Sequence, residues 1–428
     1  MGDVPYGVAA ADLNGDQVTD LVGANSASDS LSVRLGLRTG GYASPAMYDV
    51  GDSPLEVAVG DVNGDGILDL VSANYNPNNS PTASDTVSVL IGNGDGTFQT
   101  QQTYNVGSDP FSVTLADLNS DNRLDVVTAN TASDNVSVLL GSGDGTFALQ
   151  QTFATGGDPA SVRTGDVNGD DKPDLVTANS NSSDVSILVG NGDGTFQAAV
   201  QYACGSGPYE VTLSDLNADG RLDVFVASYD TSSLNVLFGN GDATFQSFQV
   251  IVVDGSPYSA TVADINKDGK PDLISVGQSN GLISVLEGNG DGTFRAPQTF
   301  SARGNPYQII AADLNRDSRL DLVTANGFAD DISVLINQSS FDLFLQTHQP
   351  FMSPYGRGRE GGANLGFDFV ALPPVVLPGQ QVRTEVQWNI DTPINPNAVV
   401  FMNAFGDWRP SQELGRLLNG SLAGTGGT

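Results

Sequence analysis

Seven stretches of this chain share one arrangement of oxygen-bearing side chains, with aspartate at position 1, asparagine at 3 and aspartate at 5 and 9. The sets are Asp12, Asn14, Asp16 and Asp20; Asp61, Asn63, Asp65 and Asp69; Asp117, Asn119, Asp121 and Asp125; and Asp166, Asn168, Asp170 and Asp174. Asp215, Asn217, Asp219 and Asp223; Asp264, Asn266, Asp268 and Asp272; and Asp313, Asn315, Asp317 and Asp321 complete the series. Position 7 adds a backbone carbonyl, from Val18, Ile67, Arg123, Lys172, Arg221, Lys270 and Arg319. Hard oxygens at this spacing can wrap a hard cation, as in the first part of an EF-hand loop. Calcium accepts about six to eight of them at about 2.3–2.6 Å, whereas magnesium resists a protein-only cage. One such loop alone would read as a tight turn, because Asp and Asn bond their own backbone. Seven intact copies, each with three carboxylates that repel unless a cation is bound, argue for up to seven Ca²⁺. The loops have no Glu at position 12 and no helix pattern around them, so they read as fixed staples rather than sensors.

The sites need not be equal. Position 6 of such a loop favours positive φ, which Gly66, Gly220 and Gly269 supply freely and Asn122 and Asp171 tolerate. Gln17 and Ser318 suit it poorly, so the first and seventh loops are expected to bind most weakly.

The loops need elements to hold them, and those elements repeat too. Successive loops start 49, 56, 49, 49, 49 and 49 residues apart, the excess lying around Asn76 to Thr82. Within a unit, four short β-branched segments are separated by Gly, Asp and Asn, and no stretch shows capped helical spacing. In the third unit these are FSVTLADLN, LDVVTAN, NVSVLLG and ALQQTFATG. Four-stranded units of this length are blades of a β-propeller. The fold class is therefore all-β, a seven-bladed ring over about residues 2–345 in place of the two or three domains that length alone suggests. An open stack would need polar capping units at both ends, and the sequence offers none.

A second motif, Gly92-Asn93-Gly94-Asp95-Gly96-Thr97-Phe98 and its copies, invites comparison with a phosphate loop but lacks the Lys and the following helix. It reads as a hairpin turn, with Phe98, Phe147, Phe196, Phe245 and Phe294 as packing anchors between blades. Its degraded forms, GLRTGGY in the first unit and INQSSF in the last, mark the seam where the ring closes. Because the chain enters at an inner strand, each blade is expected to use contiguous sequence.

The unit P-x-x-V-x-x-x-D-x-N-x-D-x-x-x-D-[LV]-[VFI], ending in G-N-G-D-G-T-F, resembles the FG-GAP/VCBS repeat of integrin α-subunit propellers and bacterial secreted proteins. The resemblance covers about four fifths of the chain. It implies a calcium-binding, extracellular propeller used in adhesion or recognition, without fixing a ligand.

Strand direction alternates within a blade, so the metal loops and Gly-rich turns share one side of the ring. The other side carries the second-to-third loops, the turns into each blade and the insertion around Asn76 to Thr82. There the residue after each turn proline is Tyr6, Leu55, Phe111, Ala160, Tyr209, Tyr258 or Tyr307. Five aromatics in seven equivalent places either pack the starts of the inner strands or form a recognition rim. Tyr6, Phe111, Tyr209, Tyr258 and Tyr307 are thus the candidate ligand face.

Composition narrows the function. The 428 residues hold 17 Lys+Arg against 50 Asp+Glu, a net charge of −33, which argues against nucleic acid or anionic membrane as partner. Only six of the acids are Glu, and 21 of the 44 Asp sit at positions 1, 5 and 9 of the loops. No apolar run reaches a membrane span of about 18 residues, and Met1-Gly2-Asp3 leads into patterned sequence, so any signal peptide is removed or lies outside this chain. One cysteine, Cys204, reads as an inert small side chain, and one histidine, His348, supports no catalytic triad and no multi-histidine metal site. After about Phe341 the rhythm stops: 346–418 reads as a Pro-rich connection and a small β region around VRTEVQWNI, and 419–428 as a flexible tail. The favoured reading is a non-catalytic, monomeric, extracellular recognition or adhesion module for a protein or glycan. The alternative is a lectin or a polysaccharide-acting enzyme using a carboxylate pair.

Overall fold

Residue pattern assigns each strand its depth. The second and third segments are nearly unbroken apolar runs, such as Asp125–Asn130 and Asn135–Leu139, and their side chains are almost all buried. The first segment is half-buried, and the fourth, such as Gln151–Ala154, is short and faces out. These four pair antiparallel in sequence order, and the chain builds that sheet seven times. The structure, a computed structural model, describes residues 2–76, 85–302, 304–338 and the strand at 345–347. It is the all-β, seven-bladed propeller expected from the repeats, running from Pro5–Ala11 in the first blade to Leu345–Thr347 in the seventh. Every blade uses contiguous sequence. Among the described residues the helical pieces are two short turns, Thr131–Ser133 and Gly327–Ala329, and no helix is long and apolar enough to cross a membrane. The expectations for 77–82 of the insertion and for 348–428, with His348 and the VRTEVQWNI strand, fall outside the described residues; 346 and 347 belong to the outer strand of the seventh blade.

A sheet that is apolar on both faces must be covered on both, and here the covers are its neighbours. Leu13, Val22 and Leu31 of the first blade pack with Val57, Leu70 and Phe98 of the second. The same kind of cluster recurs around the ring, and the last one joins Val323, Ile332 and Val334 to Val8 and Leu21 of the first blade. The expected anchors lie at these seams. Phe98, Phe147, Phe196 and Phe245 meet Tyr48, Tyr104, Phe153 and Tyr202 of the preceding blade edge-on, with centroids 5.4, 5.3, 5.2 and 5.4 Å apart. Phe294 packs on the fifth blade's cluster around Phe225 and Phe238.

The seam between the seventh and first blades is built like the others. Asp29, Asp85 and Asp134 each accept the backbone N–H that precedes the next blade's proline, from Ser53, Asp109 and Asp158 at 2.8, 3.1 and 2.9 Å. Asp330 accepts the Val4 N–H at 2.8 Å in the same way. The degraded turn GLRTGGY keeps its function as well. Tyr42 bridges to Gly36 as Phe98 does to Gly92, and packs on the cluster shared with the seventh blade.

All seven inner strands carry one irregularity. The register skips between Pro5 and Gly7, and likewise at Leu55, Phe111, Ala160, Tyr209, Tyr258 and Tyr307. The skipped residue is the extra member of a β-bulge, a device that bends the strand and re-aims a side chain.

Candidate metal loops and channel mouth

Each Asp loop is organised by its own carboxylates. In the fifth blade Asp215 accepts the N–H groups of Asp219 and Gly220 at 3.1 and 2.8 Å, Asn217 accepts Asp219 N–H at 3.0 Å, and Asp219 accepts Arg221 N–H at 3.0 Å. This wrapping needs left-handed backbone at position 6, and all seven loops have it, including Gln17 at φ 66° and Ser318 at 62°. Position 4 is left-handed too, a requirement the sequence reasoning missed although Gly15, Gly64 and Gly169 stand there. Ser120, Ala218, Lys267 and Arg316 adopt the same conformation without glycine's freedom.

Position 9 has a second duty. Asp223 is fully buried; its Oδ2 accepts Leu216 N–H and its Oδ1 accepts Gly239 N–H, both at 2.9 Å. The same pair of bonds recurs at Asp20, Asp69, Asp125, Asp174, Asp272 and Asp321. The position-9 aspartate therefore ties the metal loop to the Gly-rich turn of its own blade. This explains the first glycine of the second motif: a Cβ on Gly239 would lie 2.2 Å from the Leu222 carbonyl oxygen.

Electrostatics show a loop short of positive charge. Burial pushes all seven position-9 carboxyls up; backbone N–H bonds oppose it, and the acids at positions 5 and 1 raise them further in most loops. Asp223 and Asp321 reach about 6. Local cations help little: Arg123, Lys172 and Arg221 at position 7 stand 3.9, 3.6 and 3.9 Å from the position-5 carboxylates, partly in solvent. Among the described residues no three His, Cys, Asp or Glu side chains gather in the geometry of a metal site, because the loop carboxylates are turned onto the loop's own amides. The donor chemistry nevertheless fits calcium. Every donor is a hard oxygen, and a carboxylate oxygen holding one N–H keeps a further lone pair.

At the opposite side of the ring the bulges bring the predicted aromatics together. Tyr6 stacks on Tyr307 with centroids 4.3 Å apart, and Tyr209 stacks on Tyr258 at 4.6 Å. Tyr6 meets Phe111 edge-on at 5.7 Å, and its hydroxyl bonds that of Tyr258. The rings contact one another across the channel rather than only packing against strand starts. Three aromatics that sequence reasoning missed extend the platform from the second-to-third loops. Tyr75 packs on Phe111, Tyr229 on Tyr209 and Tyr258, and Phe328, 74% exposed, on Tyr307. Their signal was available, as each directly or nearly follows the Ala-Asn or Ala-Ser that ends a second strand.

Beneath the rings lies a polar layer. Residues three places into the inner strands accept the exposed edge N–H of the next blade: Glu56 from Val113 at 3.0 Å, Ser112 from Val162 at 3.2 Å and Ser161 from Val211 at 3.4 Å. Ser259 and Gln308 do the same for Ile309 and Val8, at 3.3 and 2.5 Å. Gly7 has no side chain to offer, and a Cβ there would lie 2.4 Å from the Leu55 carbonyl oxygen. Arg163, from the fourth blade, reaches Glu56 of the second at 3.1 Å and Glu210 of the fifth at 2.5 Å. Glu is rare in this chain, and that was the unused clue: the repeats hold only Glu56, Glu210 and Glu287, and two of them meet here.

Comparison with known proteins agrees with this geometry. The FG-GAP-like repeat matches residues 12–72, 61–128, 117–177, 166–226, 215–275 and 264–324. No curated protein matches the chain. Among solved structures, a putative 6-phosphogluconolactonase from Bacteroides fragilis NCTC 9343 is similar with a TM-score of 0.59 at 16% identity, covering 78% of this chain and 94% of its own. Its counterpart from Bacteroides uniformis ATCC 8492 has a TM-score of 0.56 at 18% identity, with 80% and 94% covered. An Agrocybe aegerita lectin that recognises non-reducing terminal N-acetylglucosamine has a TM-score of 0.50 at 21% identity, covering 69% and 80%. At these identities the likeness is one of fold.

Proposed function

This chain belongs to the FG-GAP-like repeat family, and on that premise we propose a calcium-stapled, non-catalytic recognition propeller that takes a glycan at its aromatic channel mouth. The observation that carries the reading is the continuous platform of Tyr6, Tyr75, Phe111, Tyr209, Tyr229, Tyr258, Tyr307 and Phe328. Flat aromatic faces bury the apolar face of a sugar ring, and the Asn, Asp and Ser of the surrounding loops suit its hydroxyls. A propeller of similar fold, the Agrocybe aegerita lectin, takes a glycan, which is compatible with this choice.

Calcium would be held at each loop by the side chains of positions 1, 3, 5 and 9 and the carbonyl of position 7, Asp215, Asn217, Asp219, Asp223 and Arg221 in the fifth blade. It would neutralise the carboxylates and stiffen the side of the ring opposite the ligand. Sites of this kind are filled at the millimolar calcium found outside cells, which is the location we infer. An enzyme of the phosphogluconolactonase kind is disfavoured here. Its phosphorylated substrate needs cations, and the cavity at the mouth is lined by Glu56 and Glu210 without a Lys or Arg. A glycan array probed with and without calcium tests the reading, alongside a Tyr307→Ala/Phe328→Ala variant. We expect several related glycans to bind, with loss on chelation and at least about tenfold weakening in the variant. Silence across the array from a folded, calcium-loaded protein would refute it.

A further inference from the structure

Two blades break the aromatic ring, and the break lies over the only charged group of the channel wall. Leu55 and Ala160, on either side of Phe111, stand where five blades have rings, and a cavity of about 30 Å³ opens at the channel mouth beside them. Glu56, Ser161 and Glu210 line it together with the tyrosines. One water needs about 10–15 Å³ on this measure, so the cavity takes no more than a compact polar head. The charge there is unbalanced, because two glutamates share the single guanidinium of Arg163. Glu210 takes both its bonds, from Arg163 and from the Ser161 hydroxyl, on Oε1. Oε2 receives neither. Burial pushes the Glu210 carboxyl up to about 7, with Arg163 pulling it down and Glu56 raising it, so near neutral pH it ionises fully only when a further cation pairs with it. The walls are tyrosine rings, whose faces attract cations.

Resting on the reading of this mouth as a glycan-binding face, we infer that the glycan is an amino sugar whose primary ammonium enters the opening left by Leu55 and Ala160 and pairs with Glu210. The ammonium supplies the missing positive charge and donates to Oε2, while a sugar ring stacks on the exposed Phe328 at the rim. An acidic sugar is repelled, and an N-acetyl group offers no charge and exceeds the cavity.

The test is calorimetric titration near neutral pH with a β-1,4-linked glucosamine oligomer and its fully N-acetylated counterpart, with methylammonium and tetramethylammonium as small probes followed by NMR. Because the chain carries a formal charge of −33, a cationic oligomer also binds diffusely. Two variants that leave that charge nearly unchanged isolate the site. Glu210→Gln removes the anion, and Ala160→Phe adds a sixth ring while keeping both carboxylates; thermal melts establish that each is folded. We expect the glucosamine oligomer to bind at least about tenfold more tightly than the acetylated one, and both variants to abolish that preference. Methylammonium should perturb the tyrosine resonances and tetramethylammonium should not. Equal affinity for the two oligomers, or a preference that survives in both folded variants, overturns the inference and leaves the glycan reading standing. Methylammonium binding that Glu210→Gln abolishes, with neither oligomer bound, upholds the ammonium site and removes the glycan reading. Silence from every probe overturns both.

Discussion

Stripping calcium should reverse the sign of this protein's pH dependence. The perturbation acts on the seven buried position-9 aspartates, all of whose carboxyls are raised by burial. Asp223 and Asp321 rise from 3.8 to about 6. A raised folded-state value means that the native protein holds the proton more tightly than the unfolded chain does. That contribution is fully present below about pH 4 and is lost as pH rises through about 6. At about 1.4 kcal/mol per unit, each of these two groups costs the calcium-free protein about 2–3 kcal/mol on going to neutral pH. The pair alone therefore removes about 5 kcal/mol, comparable with the net stability of a whole domain. A bound cation inverts the logic: it favours the carboxylates, must be expelled before they protonate, and so makes stability fall as pH falls. The assay is scanning calorimetry of protein stripped on a chelating resin, against protein in millimolar calcium, at about pH 5 and pH 7.5. At pH 5 about one unit of each shift is realised, about 3 kcal/mol for the pair, so at roughly 2 °C per kcal/mol the stripped protein should melt about 6 °C higher at the lower pH, and the loaded protein should do the opposite. Seven sites held about tenfold above their dissociation constants would add on the order of 10 kcal/mol at neutral pH. Equal melting with and without calcium at pH 7.5, or slopes of one sign in both states, would sink the reasoning.

Two further outcomes follow from the same geometry. Arg163→Met leaves Glu56 and Glu210 buried without a counter-charge and should cost about 3–5 kcal/mol in urea unfolding. Adding Glu56→Gln and Glu210→Gln should restore most of it, and a loss under about 1 kcal/mol in the single variant would show that Arg163 is not what holds the two carboxylates in place. Gln17→Gly and Ser318→Gly, at φ 66° and 62°, should each stabilise by about 1 kcal/mol and tighten calcium at the first and last loops. Unchanged melting and calcium titration in both variants would refute the strain argument.

What was legible in the sequence was whatever each blade must do alone. Asp215 to Asp223, the Gly-rich turn and Phe245 recur because every blade needs its loop, its hairpin and its anchor, and a period of 49 residues exposes them. What escaped was the particular pairing of residues that the fold brings together from distant positions. The bulge at Tyr6 leaves no local trace, since Pro5-Tyr6-Gly7 reads as an ordinary strand start and only its pairing with Asn25 and Ala24 shows the skip. Arg163 lies 107 residues from Glu56 and 47 from Glu210, so ring closure, not local pattern, brings them together. The double duty of Asp223 was hidden similarly, as its partner Gly239 sits 16 residues away in a different motif.

The contrast between the two sides of the ring bears on function without any knowledge of the ligand. Positions 1, 3, 5 and 9 of the loops are identical in all seven blades, each set wrapping the loop of its own blade. The bulged position, by contrast, holds Tyr, Leu, Phe and Ala, and the next one Gly, Glu, Ser and Gln. A structural role repeated seven times calls for seven equal residues, as the loops show. A site on the axis is shared by all seven blades, and a ring of seven equal residues there would present the same contact in every direction. A ligand is oriented only if that symmetry is broken. The breaks are also not scattered: the missing rings at Leu55 and Ala160 adjoin the carboxylates of Glu56 and Glu210, and the one arginine of the layer answers those two alone. A cavity and two carboxylates in place of two of the rings are what the proposed binding site requires.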